Sequence, residues 1–324
     1  MSSITDQHTE WFSERFNAVL VNVERVIRGK SDQIATALVA LFAEGHLLLD
    51  DVPGTGKTTL AKSIARSMQA SSGRIQFTPD LLPSDVTGGM VYDQSNGTFE
   101  FRPGPIFANV VLADEINRAS PKTQAALLEV MEERHVTIDG ESRPVPRPFI
   151  VIATQNPVEQ EGTYRLPEAQ LDRFLLRTSI GYPDLAAEVD AVKRVTAGAA
   201  PSDLEPVVSV DDVREMIAIA GHVHVDDSIY DYVVRLVAAS RTVESLRLGA
   251  STRGALALVK ASRTLAATQG RPYVTVDDVK VLAPAALAHR LLLSPDAELR
   301  GVDPADLVDD LLDRIDIPTP VRSS

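Results

Sequence analysis

The hydrophobic positions change period along this chain, and those changes mark its organisation. Phe12, Phe16, Val19 and Val23 recur at spacings of four, three and four, which predicts an amphipathic helix over 10–26 whose aromatics serve as core. Val26-Ile27-Arg28-Gly29-Lys30 breaks it, and a second helical pattern runs over 34–42. His46-Leu47-Leu48-Leu49 then reads as a buried strand, and Leu60, Ile64 and Met68, four apart, line one face of the helix after it. Further strands are predicted at 74–77, 109–113 and 149–153, the last two carrying the apolar runs 110–113 and 149–153 of the kind buried on both faces of a parallel sheet.

Two hairpins interrupt this alternation. One brackets Asn96-Gly97 between 90–92 and 98–102, the other brackets Asp139-Gly140 between 136–138 and 142–145. Ser120-Pro121 starts the helix between them, with Ser as N-cap and Pro at the first helical position, and Leu127, Leu128 and Met131 form its buried face. From Gly181-Tyr182-Pro183 onward the pattern becomes helical alone. The expected architecture is a doubly wound, parallel-sheet α/β domain with inserted β-hairpins over 1–182, followed by an all-helical domain over 183–324.

Composition changes little in that picture but removes several functions. A chain of 324 residues suits two domains, and 44% hydrophobic with 24% charged residues suits an ordinary globular core. No apolar run reaches the roughly 18 to 20 residues that span a membrane. The first residues lack a basic region followed by an apolar one, so the expected location is the cytoplasm. There is no cysteine, hence no disulfide, thiolate metal site or thiol nucleophile. A formal charge of −13 argues against a general nucleic-acid surface, although a locally basic pore in an assembly stays open.

The chemistry begins at Asp50-Asp51-Val52-Pro53-Gly54-Thr55-Gly56-Lys57-Thr58-Thr59, between a strand and a helix. Small residues there let backbone N–H groups turn around a polyphosphate, Lys57 can reach the β and γ phosphates, and the Thr58 hydroxyl can hold Mg²⁺. The helix N-terminus adds its own attraction for anions. One position departs from the strict phosphate-loop pattern, which asks for glycine where this chain has Asp51.

The second chemical stretch is Ala113-Asp114-Glu115-Ile116-Asn117-Arg118, where an apolar strand runs into two acids. Beside a phosphate loop, Asp114 is placed to hold Mg²⁺ and Glu115 to orient and deprotonate an attacking water. The strand at 149–153 ends in Thr154-Gln155-Asn156-Pro157, and Asn156 can share that water; taken alone it would be a strand-end turn residue.

With Leu171-Asp172-Arg173-Phe174 added, the set resembles the AAA+ ATPases. The wording of 76–85, 113–119, 153–157 and 166–174 resembles the MoxR subfamily, and the likeness covers nearly the whole chain. The resemblance implies ATP bound between the two domains, with adenine near Ile27 and Gly29 and phosphates on 53–59. It implies that Asn156 senses the γ phosphate, that Arg173 is an arginine finger working on a neighbouring subunit, and that the oligomer is a homomeric ring, usually of six. Arg118 and Arg165 compete for roles in trans. It further implies chaperone-like action on client proteins, including proteins with von Willebrand factor A domains.

In the second half, 208–213 and 274–279 repeat a phrase, each with Ser or Thr three residues before Asp: two helix starts built alike, their acids favoured by the helix dipole. Ser251 reads as the N-cap of the helix carrying Leu256, Val259 and Leu265. Arg253 then sits at the unfavourable end of that helix dipole, which calls for something anionic. In AAA+ relatives this is the second sensor; the alternative is a surface salt bridge. The tail over 303–316 fits a closing amphipathic helix, and His289-Arg290 is assigned no chemistry.

The expected activity is Mg²⁺-dependent ATP hydrolysis. Two rivals stand beside it: an ATP-gated assembly scaffold with little turnover, and a nucleic-acid-linked motor.

Overall fold

The structure, a computed structural model, describes residues 4–52, 54–156, 164, 166–182, 185, 188, 189, 193, 196 and 204–317. The chain divides into two compact units, one of Ala18–Leu166 with Thr178–Arg214, the other of Met1–Asn17, Pro167–Arg177 and Glu215–Ser324. No helix among the described residues is long and apolar enough to cross a membrane.

The chain opens with α1 (Asp6–Glu24) and α2 (Ser31–Phe42). A five-stranded sheet follows, built from β1 (Leu47–Asp50), β2 (Ser72–Gln76), β5 (Val110–Asp114), β8 (Ile150–Gln155) and β9 (Leu176–Thr178), in the order β2-β5-β8-β1-β9. Its β2-β5, β5-β8 and β8-β1 pairings are parallel. Leu47 to Leu49, Val110 to Ala113 and Ile150 to Thr154 are buried throughout, as the unbroken apolar runs required. Helix α3 (Lys57–Ser67) returns from β1, burying Leu60 and Ile64, with Met68 just past its end.

Between β2 and β5 come α4 (Pro83–Thr87) and the hairpin of β3 (Gly88–Asp93) and β4 (Thr98–Pro103). Its turn is longer than an Asn-Gly pair alone: the Asp93 carboxylate accepts from Ser95 N at 2.8 Å and Asn96 Nδ2 at 2.7 Å, shaping residues 94–97. The second hairpin, β6 (His135–Ile138) and β7 (Glu141–Pro144), does close on two residues, Asp139 and Gly140, with φ of 55° and 81°. Both positive angles match the tight turn that follows strand twist. Helix α5 (Pro121–Glu133) precedes it, with Ser120 accepting from Thr123 N at 3.4 Å.

The second unit is helical. It contains α6 (Glu168–Leu171), most of α7 (Val210–His222), then α8 (Asp227–Ser240), α9 (Thr252–Thr268), α10 (Val276–Leu287), α11 (Pro295–Leu299) and α12 (Pro304–Arg314). One short antiparallel ladder joins them, β10 (Leu246–Leu248) with β11 (Leu292–Leu293). The repeated phrase proves to be a pair of capping boxes: Ser209 N donates to the Asp212 carboxylate at 2.8 Å and Asp212 N to Ser209 Oγ at 3.1 Å, and Asp278 accepts from Thr275 N at 2.7 Å. From α1, Thr9 and Ser13 donate to the carbonyls of Gly270 and Thr268 at 2.9 and 2.7 Å, satisfying acceptors at the end of α9.

Candidate functional site

Three parallel strands deliver the site. Asp50 pairs with Gln155 and Ala113 with Ala153, so β1, β8 and β5 end along one edge of the sheet. That carboxyl edge is where open α/β sheets bind ligands.

The loop 51–56 leaves β1 there and turns into α3 at Lys57. Gly54 and Gly56 have φ of 89° and 90°, backbone that a side chain resists. Lys57 is buried, and its Nζ donates to the carbonyls of Asp51 and Val52 at 3.0 and 2.9 Å. The lysine side chain thereby folds back onto the start of the loop. Thr58 and Thr59 are half-buried in that first turn. Pro53 lies outside the described residues.

Asp51, the departure from the strict pattern, is 3% exposed and fully engaged. Its carboxylate accepts from Ser179 Oγ at 3.0 Å, Ile180 N at 2.6 Å and Gly181 N at 2.9 Å. Lys30, in the turn after α1, donates to Tyr182 O at 2.8 Å. Segment 179–182 is therefore held from both Asp51, at the start of the loop after β1, and Lys30, which follows the turn containing Ile27 and Gly29. Ile27 is half-buried in that turn, and Gly29 is exposed with φ of 67°.

The two acids stand at the end of β5. Thr154 of β8 organises them: its Oγ1 donates to Asp114 Oδ1 at 2.8 Å and accepts from Glu115 N at 2.8 Å. Arg74 of β2 donates to Asp114 Oδ2 at 2.8 Å. Gln76 Nε2 and Arg118 Nη1 both donate to Glu115 Oε2, at 3.0 and 2.9 Å. Glu115 has φ of 57°, left-handed backbone that non-glycine residues adopt at some energetic cost and that recurs at working sites. Asn156 is buried immediately after β8. Arg118, a sequence-level competitor for a role in trans, thus meets Glu115 of its own chain; Arg165 lies outside the described residues.

Arg173 and Arg253 belong to the helical unit. Arg173 is half-buried after α6, and Arg253 is exposed in the first turn of α9, where Ser251 accepts from its backbone N at 3.1 Å. The Asp172 carboxylate accepts from Ser251 Oγ at 3.0 Å, tying the two arginine-bearing segments together.

Sequence reasoning missed Thr154, Arg74, Gln76 and Arg290. A signal existed for the first three. Thr154 is the last fully buried position of β8, and Arg74 and Gln76 alternate on β2, whose Gln76 pairs with Asp114.

A parallel sheet with a Gly-Thr-Gly-Lys-Thr loop after β1 and the acids Asp114 and Glu115 at the end of β5 has the form of a nucleotide-hydrolase fold, and the comparisons with known proteins agree. Residues 46–176 match the model of the ATPase family associated with various cellular activities (AAA), and residues 238–311 match the AAA lid domain. The YeaC protein of Bacillus subtilis (strain 168) is 48% identical over 297 residues, 92% of this chain and 93% of its own. Chaperone MoxR1 of Mycobacterium tuberculosis (strain ATCC 25618 / H37Rv) is 42% identical over 308 residues, 92% of this chain and 81% of its own. A crystal structure from Cytophaga hutchinsonii ATCC 33406 has a TM-score of 0.91 at 38% identity, covering 97% of this chain and 98% of that one. The class is therefore the AAA+ ATPases. Within it, the chain belongs to the MoxR type. The expected α/β fold with a helical lid is borne out with it.

Proposed function

We propose that this ATPase hydrolyses ATP with Mg²⁺ and uses the turnover to remodel or mature client proteins, working as a homo-oligomeric ring, six subunits by family resemblance, in the cytoplasm. The observation that carries the reading is that β1, β8 and β5 pair in parallel and end on one sheet edge, with the loop to Lys57 following β1, Asp114 and Glu115 at the end of β5 and Asn156 at the end of β8. In it, 53–59 hold the phosphates, with Lys57 on the β and γ groups, and Ile27 and Gly29 flank the adenine. The Thr58 hydroxyl and Asp114 carboxylate are hard oxygen donors of the kind Mg²⁺ takes. Bound there, the ion would neutralise charge on the phosphates.

Glu115 orients and deprotonates the attacking water, and Asn156 shares that water and senses the γ phosphate. Arg253 acts on the nucleotide of its own chain from the lid, and Arg173 on that of the next subunit. The working division is a nucleotide domain over 1–182 and a lid over 183–324, whose relative motion would do work on a bound protein. A chaperone among the relatives supports protein clients, and by family resemblance the client class is proteins with von Willebrand factor A domains.

Phosphate release in the steady state is the direct test. Glu115→Gln should bind ATP and lose turnover by about 100-fold or more. Unchanged release would instead favour an ATP-gated scaffold. A pull-down with Glu115→Gln held in ATP then identifies the client, and stimulation by DNA in low salt would redirect the reading to a nucleic-acid motor.

A further inference from the structure

Arg290 closes α10 through a short 3-10 turn and is one of the most buried cations described, its side chain 3% exposed. Most of its bonds run to residues 172–175. Nε donates to Asp172 Oδ1 at 2.7 Å, and Nη2 to the backbone oxygens of Asp172 and Phe174 at 3.2 and 2.7 Å. Nη1 donates to Ala286 O and, at 3.4 Å, to Leu175 O, and lies 2.7 Å from His289 Nε2. The accepting groups stand on both sides of Arg173, so one guanidinium brackets that residue's backbone.

The same carboxylate reaches the other arginine. Asp172 Oδ2 accepts from Ser251, whose oxygen caps α9 two residues before Arg253. Gly254 leaves the space this needs: a Cβ there would stand 3.2 Å from Arg290 Cδ and 3.2 Å from Leu287 Cδ2. A buried ion pair contributes little net stability compared with well-packed apolar side chains. What it does give is fixed direction, because every donor of a planar fork has a specified acceptor.

We propose that Asp172 and Arg290 are positioning residues, a clamp that sets Arg173 for the neighbouring subunit and, through Ser251, holds Arg253 in step with it. The proposal rests on the reading of Arg173 as a trans-acting group and Arg253 as a cis-acting one. Asp172 and Arg290 act only through those two arginines. Their loss should therefore lower turnover far more than it weakens ATP binding.

The experiment compares Arg173→Ala, Asp172→Asn, Arg290→Met and Arg290→Lys in the full chain. It measures ATP binding, KM, kcat and thermal melting, then mixes each variant with Lys57→Ala subunits in verified mixed rings. Expected for Asp172→Asn is a kcat lower by about tenfold or more with KM within about twofold. Partial recovery should follow in mixed rings, where an intact Arg173 is offered by the neighbour; it should be smaller than for Arg173→Ala, because Arg253 of the variant chain is also released. A variant that is merely unstable in its own nucleotide unit gains nothing from a neighbour.

Should Arg290→Met not fold, Arg290→Lys keeps the charge without the fork, and Asp172→Asn keeps the shape without the charge. Full kcat in Arg173→Ala would overturn the role of Arg173 and the clamp with it. A lost kcat in Arg173→Ala with full kcat in folded Asp172→Asn would overturn the clamp alone. Absence of recovery in mixed rings containing Asp172→Asn also overturns it, and recovery equal to that of Arg173→Ala removes Arg253 from the clamp.

Discussion

The carboxylate of Asp51 accepts the backbone N–H of Ile180 at 2.6 Å. The first residue after β1 is thereby bonded to the segment that leaves β9, 129 residues later. Asp51 also carries the backbone oxygen on which Lys57 rests, at 3.0 Å. A glycine at this position would complete the strict phosphate-loop pattern and would remove the strut.

Asp51→Gly is therefore expected to destabilise the protein although it restores the pattern. It would leave the N–H groups of Ile180 and Gly181 buried or half-buried without their acceptor, worth about 2 to 4 kcal/mol together. Asp51→Asn, with one carbonyl oxygen left, should lose less. Urea unfolding midpoints of the two variants check this, and an Asp51→Gly protein as stable as the parent would sink it.

Thr154 presents a second prediction, this time on rate. Its hydroxyl is the shared partner of Asp114 and of the Glu115 backbone, and Val has nearly its shape without the oxygen. Thr154→Val should lower kcat by about 10- to 100-fold through misplacement of Glu115, and stability by about 1 to 3 kcal/mol through the unsatisfied N–H. Thr154→Ser should recover most of both. Equal kcat in the Val variant would separate the hydroxyl from the chemistry.

The reach of the sequence follows from the range of the interactions. Apolar runs such as 110–113 and the capping phrases at 209 and 275 are local, and so is the Gly54 to Thr58 turn; each is legible from neighbouring residues alone. The bonds that orient the site are not. Thr154 reaches Asp114 across 40 positions and Arg290 reaches Asp172 across 118, and no periodicity announces either. His289-Arg290 carried no local motif, so its role emerged only when the fold brought α6 and the end of α10 together. The β10-β11 ladder within the helical half escaped for the same reason, being two short stretches far apart in sequence.

The twin capping boxes differ in the burial of their carboxylates. Asp278 is buried and, besides its cap, accepts from both terminal nitrogens of Arg271, at 2.9 and 2.5 Å. That partner holds the Arg271 guanidinium above its ordinary range, chiefly through the hydrogen bonds. Asp212 is half-exposed at the equivalent point of α7. Asp278→Asn should cost about 3 kcal/mol, against about 1 kcal/mol for Asp212→Asn. Similar losses in chemical denaturation would show that burial of the carboxylate does not set the cost.

His289 sets an acid limit on the helical unit. Burial, then the positive charges of Arg290 and Arg177, hold its imidazole well below the usual histidine range, so it is neutral in the folded protein. In the unfolded chain it takes a proton near about pH 6.5. Below that value the unfolded state binds a proton that the folded state refuses, so stability is complete above about pH 6.5 and declines as pH falls through it. One such group contributes at most about 1.4 kcal/mol per pH unit. Between about pH 7.5 and about pH 5.5, the parent protein should lose about 1 kcal/mol more than His289→Gln does. Denaturant titrations of both proteins at the two pH values make the comparison, and parallel losses would place the acid sensitivity elsewhere.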